Sequence, residues 1–342
     1  MKNMFVAAVL LLAACGTSAE SAAPADNGPL TLRLGYFPNL THAPALAGVS
    51  KGSFATALGS GVTLETHTFN AGPEAVTAIL AGSIDAAFVG PNPTVNAFAQ
   101  SHGQAIRVIA GATSGGALLV VKPTITSVAQ LKGKKIADPQ LGGTQDVALR
   151  WFLKNNGFHA DAAGGGDVSV MPQENSQTLT AFKQGDVDGA WVPEPWASRL
   201  VIEGHGKVLV EESDLWPQGK FVTTNLIVRT DFLRAHPKRT QSLLEGLYQA
   251  VAFLNANPVD AQQLTNDTVA QMSGKKLAPG VVAAAWPNLT FTLDPLATTL
   301  KASAEHAQAV GLLHAVDLKG LYDLTLLNEV LAAHGRPAAT GL

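Results

Sequence analysis

Leu30-Thr31-Leu32-Arg33-Leu34-Gly35-Tyr36-Phe37-Pro38-Asn39-Leu40-Thr41-His42-Ala43-Pro44-Ala45-Leu46 is the stretch whose reading decides the fold. Leu30, Leu32, Leu34 and Tyr36 alternate with Thr31, Arg33 and Gly35, which is the period of a strand. Pro38-Asn39 breaks it, and either Asn39 or Thr41 can cap a helix over 42–52. Strand, polar break and helix then recur along the chain. Strands are expected at 62–69, 84–89, 105–112, 117–121, 135–137, 168–171, 189–192, 208–210 and 221–229. Helices are expected at 73–81, from the break at 90–93 to about 102, and at 145–156, 175–184 and 196–203, with a helical turn at 128–131. The last hundred residues read as helical, at 231–235, 237–255, 258–272, 279–286, 294–310 and 318–333. Strands alternating with helices argue parallel sheets covered on both faces. Two alternations in series predict two doubly wound α/β lobes and a helical tail. Ligands of open sheets sit at the carboxyl ends of the strands, so the informative residues are those that follow each strand.

Upstream, Lys2 precedes an apolar run that ends Leu12-Ala13-Ala14-Cys15. A basic residue, a short apolar segment and small residues make an export signal, and the run falls short of the roughly 20 residues that span a bilayer. Its ending resembles the bacterial lipobox, which makes Cys15 the expected lipidation site. Cys15 is also the only cysteine, so no internal disulfide can form. Residues 1–15 are read as a lipoprotein signal peptide and 16–29, rich in Ser, Ala, Gly and Pro, as a flexible linker. The mature protein is then expected outside the cytoplasm, lipid-anchored to the cell membrane, in the periplasm or on the outer face. A formal net charge of −3 on 342 residues, without a basic stripe, argues against nucleic acid as a partner. About 310 residues remain after the linker, more than one comfortable core.

The loops that follow the strands share a character. Phe37–His42, 90–94, 113–116, 140–145, 191–196 and 223–225 are small, polar or aromatic and nearly free of charge. Several open helices, whose first N–H groups form a ready anion site. No arginine is placed to grip an anion bidentately, since Arg107 begins a strand and falls at the wrong end. Neutral donors suit a strong-acid anion and suit an uncharged ligand equally.

Three of these segments carry a family resemblance. Residues 35–46, Ala86-Ala87-Phe88-Val89-Gly90-Pro91-Asn92-Pro93, and Gly185-Asp186-Val187-Asp188-Gly189-Ala190-Trp191-Val192-Pro193-Glu194-Pro195-Trp196 together resemble the substrate-binding proteins of nitrate, sulfonate and taurine ABC importers. The resemblance runs from about 31 to 335. It implies a type II periplasmic-binding-protein fold with a hinge. Lobe one is expected to hold 30–116 plus 223–342, and lobe two 117–222, with crossings near 115–118 and 221–225. It also implies a monomeric receptor without a cofactor that closes on a small ligand and delivers it to permease and ATPase subunits. By position, the resemblance assigns Asn39, Thr41, His42, Gly90, Asn92 and Ser114 to the ligand from one lobe. Gly143, Thr144 and Gln145 come from the other, Trp191 and Glu194 line its organic part, and Thr223 lies on the hinge side. Glu194 has two readings, an acceptor for an ammonium group beside Trp191 or a cap on the helix at 196. His42 likewise reads as an anion donor or as an interior histidine.

Enzyme signatures do not hold together. Gly48-Val49-Ser50-Lys51-Gly52 matches the nucleophile-elbow pattern but follows a helix where that motif needs a strand. Gly164-Gly165-Gly166 lacks the spacing of a dinucleotide loop. The nine histidines are scattered without metal-ligand spacing, so no metal site is expected. The leading expectation is a receptor for an aliphatic sulfonate, taurine, sulfate ester or nitrate. The alternatives are a receptor for a thiamine-pyrimidine precursor or another uncharged heterocycle, and a secreted enzyme using the same cleft.

Overall fold

The structure, a computed structural model, describes residues 28–342; the expected signal, Cys15 and most of the linker lie outside them. The chain opens with β1 (Leu30–Tyr36), a 3-10 turn (Leu40–His42), α1 (Ala43–Ser50), α2 (Ser53–Leu58) and β2 (Val62–Thr68). It continues with α3 (Gly72–Leu80), β3 (Ala86–Val89), α4 (Pro91–Gln100) and β4 (Ile106–Gly115). The middle holds β5 (Ala117–Val121), β6 (Lys135–Asp138), α5 (Thr144–Asn155), β7 (Ser169–Pro172), α6 (Asn175–Gln184), β8 (Gly189–Pro193), α7 (Trp196–Ile202) and β9 (Lys207–Glu211). Then come β10 (Val222–Arg229), α8 (Thr230–Ala235), α9 (Pro237–Ala256), α10 (Pro258–Ser273), α11 (Val281–Ala285), β11 (Leu289–Phe291), α12 (Ala297–Ala309) and α13 (Thr325–Ala333).

Two sheets result, one in the order β11-β4-β10-β3-β1-β2 and the other β7-β6-β8-β5-β9. Both faces of each are covered, which explains the near-continuous apolar runs in the strands. In β3, Ala86 and Phe88 join one core cluster while Ala87 and Val89 join a second. In β5, Leu119 and Val121 face one cluster and Leu118 and Val120 another.

The sheets are mixed, where the sequence pattern suggested parallel ones. β1, β2 and β3 are parallel, as are β6, β7 and β8, but β10 runs antiparallel to β3 and β4, and β5 antiparallel to β8 and β9. Parallel neighbours need a long crossover connection. β4 passes into β5, and so from one sheet to the other, through Gly116 alone, and β10 brings the chain back to the first sheet between β3 and β4. Gly115 and Gly116 adopt φ of 80° and 76°, and a Cβ on Gly115 would lie 2.5 Å from the Asn288 carbonyl oxygen. Only glycine makes that step from sheet to sheet without strain. β11, inside the expected helical tail, is a second difference. Its three residues pair with the end of β4 and are too few to show a period. The 48–52 motif is the end of α1 followed by Gly52 at φ 74°, a helix stop.

Candidate functional site

The parallel strands of both sheets point their carboxyl ends at one cavity. From the first sheet come the β1–α1 loop (Phe37, Asn39, Thr41, His42), the β2–α3 loop (Asn70, Ala71, Gly72) and Gly90 with Pro93 at the start of α4. From the second come Pro139, Gln140, Gly143, Thr144 and Gln145 before and within α5, Asn175 at the start of α6 and Pro193 at the end of β8; Thr223 of β10 completes the wall. The cavity measures about 40 Å³, counted as the space open to the centre of a water molecule. One water needs about 10–15 Å³ on that measure, so an occupant of a few heavy atoms fits.

No Lys, Arg, Asp or Glu is among the lining residues. The donors are neutral. α5 has no side-chain cap at Gly143, and its first intrahelical bond runs from Val147 N–H to the Gly143 carbonyl. The N–H groups of Thr144 and Gln145 therefore point out of the helix at its partly positive end. α4 is also uncapped, but Pro91 and Pro93 remove two donors from its first turn. Burial pushes His42 down to about 3, so its imidazole is neutral. Its Nδ1 accepts the Phe37 N–H at 3.4 Å, which leaves the proton on Nε2 as a donor.

The two walls are tied across the cavity. Trp196 Nε1 donates to Asn39 Oδ1 at 2.9 Å, and Leu40 N–H to the Glu194 carbonyl at 3.1 Å. Asn70 Nδ2 reaches Glu174 Oε1 at 3.2 Å. Gly90 and Thr144 meet so closely that a Cβ at Gly90 would lie 2.2 Å from Thr144 Oγ1.

The structure brings together Asn39, Thr41, His42, Gly90, Gly143, Thr144, Gln145 and Thr223 in the cavity wall. Thr223 Oγ1 is already committed, donating to the Gly115 carbonyl at 2.6 Å. Four expected residues lie elsewhere. Trp191 is fully buried in the second sheet's core, its ring 5.3 Å from Phe152 and its Nε1 donating to Glu212 at 2.7 Å. Trp191 shares a face of β8 with Pro193, but it lies two residues further back from the strand end, under Phe152 of α5 and out of reach of the cavity. Glu194 is the helix cap of its second reading: its carboxylate accepts from Ser198 N–H and Oγ and from Asn288 Nδ2 at 2.8–3.0 Å. Asn92 Nδ2 donates to the Ser303 carbonyl at 2.9 Å, because the first turn of α4 directs it toward α12. Ser114 lies short of the end of β4, lines a separate cavity beside Gly115 and accepts the Phe221 N–H. Arg107 is likewise far from the cleft, in cavities at the start of β4.

Asn70 and Asn175 are polar lining residues that the sequence reading passed over, and Gln140, which it placed in the loop 140–145, is one that it did not assign to the ligand. Asn70 and Asn175 each follow a strand, so the rule that found the other loops reaches them. Gln140 Oε1 and Asn175 Oδ1 are buried without a donor. Among the described residues, no group of three or more His, Cys, Asp or Glu could hold a metal ion, and no helix is long and apolar enough to cross a membrane.

A model of the NMT1-like family matches residues 25–271. The chain belongs to the NMT1-like family. This member is 26% identical to the putative aliphatic sulfonates-binding protein of Bacillus subtilis over 340 residues, 97% of this chain and 96% of that one. It is 28% identical to the taurine-binding periplasmic protein of Escherichia coli over 200 residues, 58% of this chain and 60% of that one. In fold, it is similar to the alkanesulfonate-binding protein SsuA of Xanthomonas axonopodis pv. citri, with a TM-score of 0.67 and 23% identity over 84% of this chain and 96% of that one. The nitrate-binding protein NrtA of Synechocystis PCC 6803 gives a TM-score of 0.74 at 17% identity, over 91% and 92%. This NMT1-like chain thus has a periplasmic-binding-protein fold.

Proposed function

We propose that this protein is the solute receptor of an ABC importer and captures a small organosulfur or nitrogen oxyanion: an aliphatic sulfonate, taurine, a sulfate ester or nitrate. The observation that carries the reading is a cavity of a few heavy atoms, free of charged side chains, into which the uncapped N-terminus of α5 points. Burying an anion demands hydrogen bonds in place of water, and helix-start N–H groups with neutral His42 supply them without a countercharge. Residues 30–116 with 223–342 form one lobe and 117–222 the other, and rotation at the two strand crossings opens and closes the cleft. The named relatives are binding proteins, in line with capture without chemistry. Cys15 anchors the monomer outside the cytoplasm by lipid, beside its permease and ATPase partners.

Within this ligand class, taurine is favoured by the donor-free oxygens of Gln140 and Asn175, which an ammonium group satisfies. A thermal-shift screen followed by calorimetry tests the reading. At a hundredfold excess over Kd, a true ligand adds about 2.7 kcal/mol. Failure of taurine, short alkanesulfonates, sulfate esters and nitrate to raise the melting temperature sinks the proposal.

A further inference from the structure

The loop that presents the free N–H groups of α5 is built on a buried pair of acids. Asp138 ends β6 and directly precedes Pro139 and Gln140 of the cavity wall; Asp146 sits in the first turn of α5. Both side chains are wholly inaccessible to water. Asp138 Oδ1 accepts the Gln140 N–H at 3.1 Å, and Asp146 Oδ2 accepts the Gly142 N–H at 2.8 Å. The two carboxyls therefore hold the same turn from opposite ends. Asp146 Oδ1 also receives Arg150 Nε at 2.6 Å, and Arg150 reaches on to the Asp161 carbonyl. Asp138 Oδ2 is buried with no donor at all.

Two carboxylates beside one guanidinium leave a net negative charge in a dry interior, which is costly. A single proton on Asp138, donated to Asp146, cancels that charge and gives Oδ2 its missing bond. Burial and the neighbouring Asp146 both push Asp138 well above the usual carboxylate range, against the opposing pull of Arg150 and the Gln140 N–H. Glu174, the N-cap of α6, is exposed and turned to Asn70, and the remaining neighbours are uncharged. The residues registered beside the end of β6 are Met171 and Pro172 of β7 and Ala190 of β8, Asn175 opens α6, and His42 across the cavity is neutral.

We propose that Asp138 and Asp146 share one proton beneath the anion seat, and that solute capture at the α5 N-terminus is linked to keeping that proton. The proposal rests on the solute-receptor reading for its ligand, while the shared proton itself does not. An anion at Thr144 and Gln145 and an ionised Asp138 repel each other across the turn that Asp138 and Asp146 hold. The bound protein therefore holds the proton more tightly than the free one, and affinity falls as pH rises through the titration of the pair.

The test has two arms. In the ligand-free full-length protein, infrared difference spectra between wild type and Asp138→Asn at pH 7 should contain the C=O stretch of a protonated carboxyl. Should that substitution fail to fold, Asp146→Asn serves, since it leaves Arg150 facing Asp138 and should abolish the stretch at lower pH than in wild type. No protonated-carboxyl band at pH 7 overturns the proposal. In the second arm, calorimetric titration with methanesulfonate and with nitrate, whose charges do not change from pH 6 to 10, should show wild-type affinity falling as pH rises, by at most about tenfold per pH unit. In Asp138→Asn the affinity should not depend on pH over that range. A flat wild-type profile also overturns the proposal. Absence of binding by either probe at every pH strikes the solute-receptor reading, and the infrared arm still decides the proton.

Discussion

The two walls of the cleft are alike in backbone and unlike in what lies beneath them. Both present glycines and small polar residues at the starts of helices. Of the six buried Asp, Glu and Arg side chains among the described residues, five lie in the second wall's half: Asp138, Asp146, Arg150, Glu194 and Glu212. The sixth, Asp85, sits just before β3, at the far end of its strands from the cavity, bound by Arg33 at 2.6–3.0 Å. Near the cavity the first wall therefore holds no buried charge and is fixed by apolar packing and neutral bonds such as Asn92 to the Ser303 carbonyl, while the second rests on buried charged groups that fix its loops. Loops tied by buried charge are held in one arrangement, and their stability depends on pH.

The largest expected effect comes from Trp191→Ala. As a core residue packed on Phe152, its loss should cost about 3–5 kcal/mol of stability, read by denaturant unfolding; a stable variant with weakened binding would return Trp191 to the cavity wall. Arg150→Met, which strips Asp146 of its only cation, should cost about 3–5 kcal/mol. If it costs no more than an exposed ion pair, the contrast between the walls disappears.

Glu212 is next. Burial pushes it up to about 7, against the hydrogen bonds from the indole N–H groups of Trp191 and Trp216. A carboxyl raised in the folded state contributes its full stability below the unfolded value. That contribution is lost as pH rises from about 4.5 through 7. Glu212→Gln should therefore remove part of the fall in melting temperature across that window and stabilise the protein at pH 8 by up to roughly 3 kcal/mol. Equal pH slopes for the two proteins would show that Glu212 does not titrate there.

Smaller effects probe the opposite end of the first sheet and the contact between the walls. Arg33→Ala removes two charged hydrogen bonds from buried Asp85 but leaves Arg229 at 3.6 Å, and should cost about 1.5–3 kcal/mol. A loss as large as that of Arg150→Met would place the first wall on buried charge too. Gly90→Ala sets a methyl against Thr144 and should weaken ligand binding by about tenfold, or ~1.4 kcal/mol, with little change in unfolding. Unchanged affinity would mean that the close approach of Gly90 and Thr144 is not needed for capture.

Much of the cleft was legible because α/β folds put their ligand loops at the carboxyl ends of parallel strands. Reading the residues after each strand located Asn39, Thr41, His42, Gly90, Gly143, Thr144 and Gln145. The same rule, applied to the second and seventh strands, reaches Asn70 and Asn175. What failed was side-chain direction. Trp191 and Glu194 stand in a loop of the right kind, yet one points into the core and the other turns back on its own helix. Trp191 has the same parity as the cavity-lining Pro193 but sits one pleat further from the strand end, and the sequence does not say where along a strand the core stops and the cavity begins. Asn92 and Ser114 failed for a related reason, since their partners, Ser303 and Phe221, are remote in sequence.

The chain by itself determined its succession of strands and helices, through the period of its apolar residues and the punctuation by Gly, Pro and Asn. It also determined the near absence of charge from the loops after the strands. Only the tertiary structure decided that β5 and β10 run against their neighbours, that a three-residue strand lies in the helical tail, and that Asp138 and Asp146 hold one turn of the cavity wall from its two ends. Local pattern carries the first kind of information because it acts within a few residues. The second kind depends on which distant segments share a sheet or a buried space, and there the cost of an unpaired charge or an unbonded oxygen selects the partner.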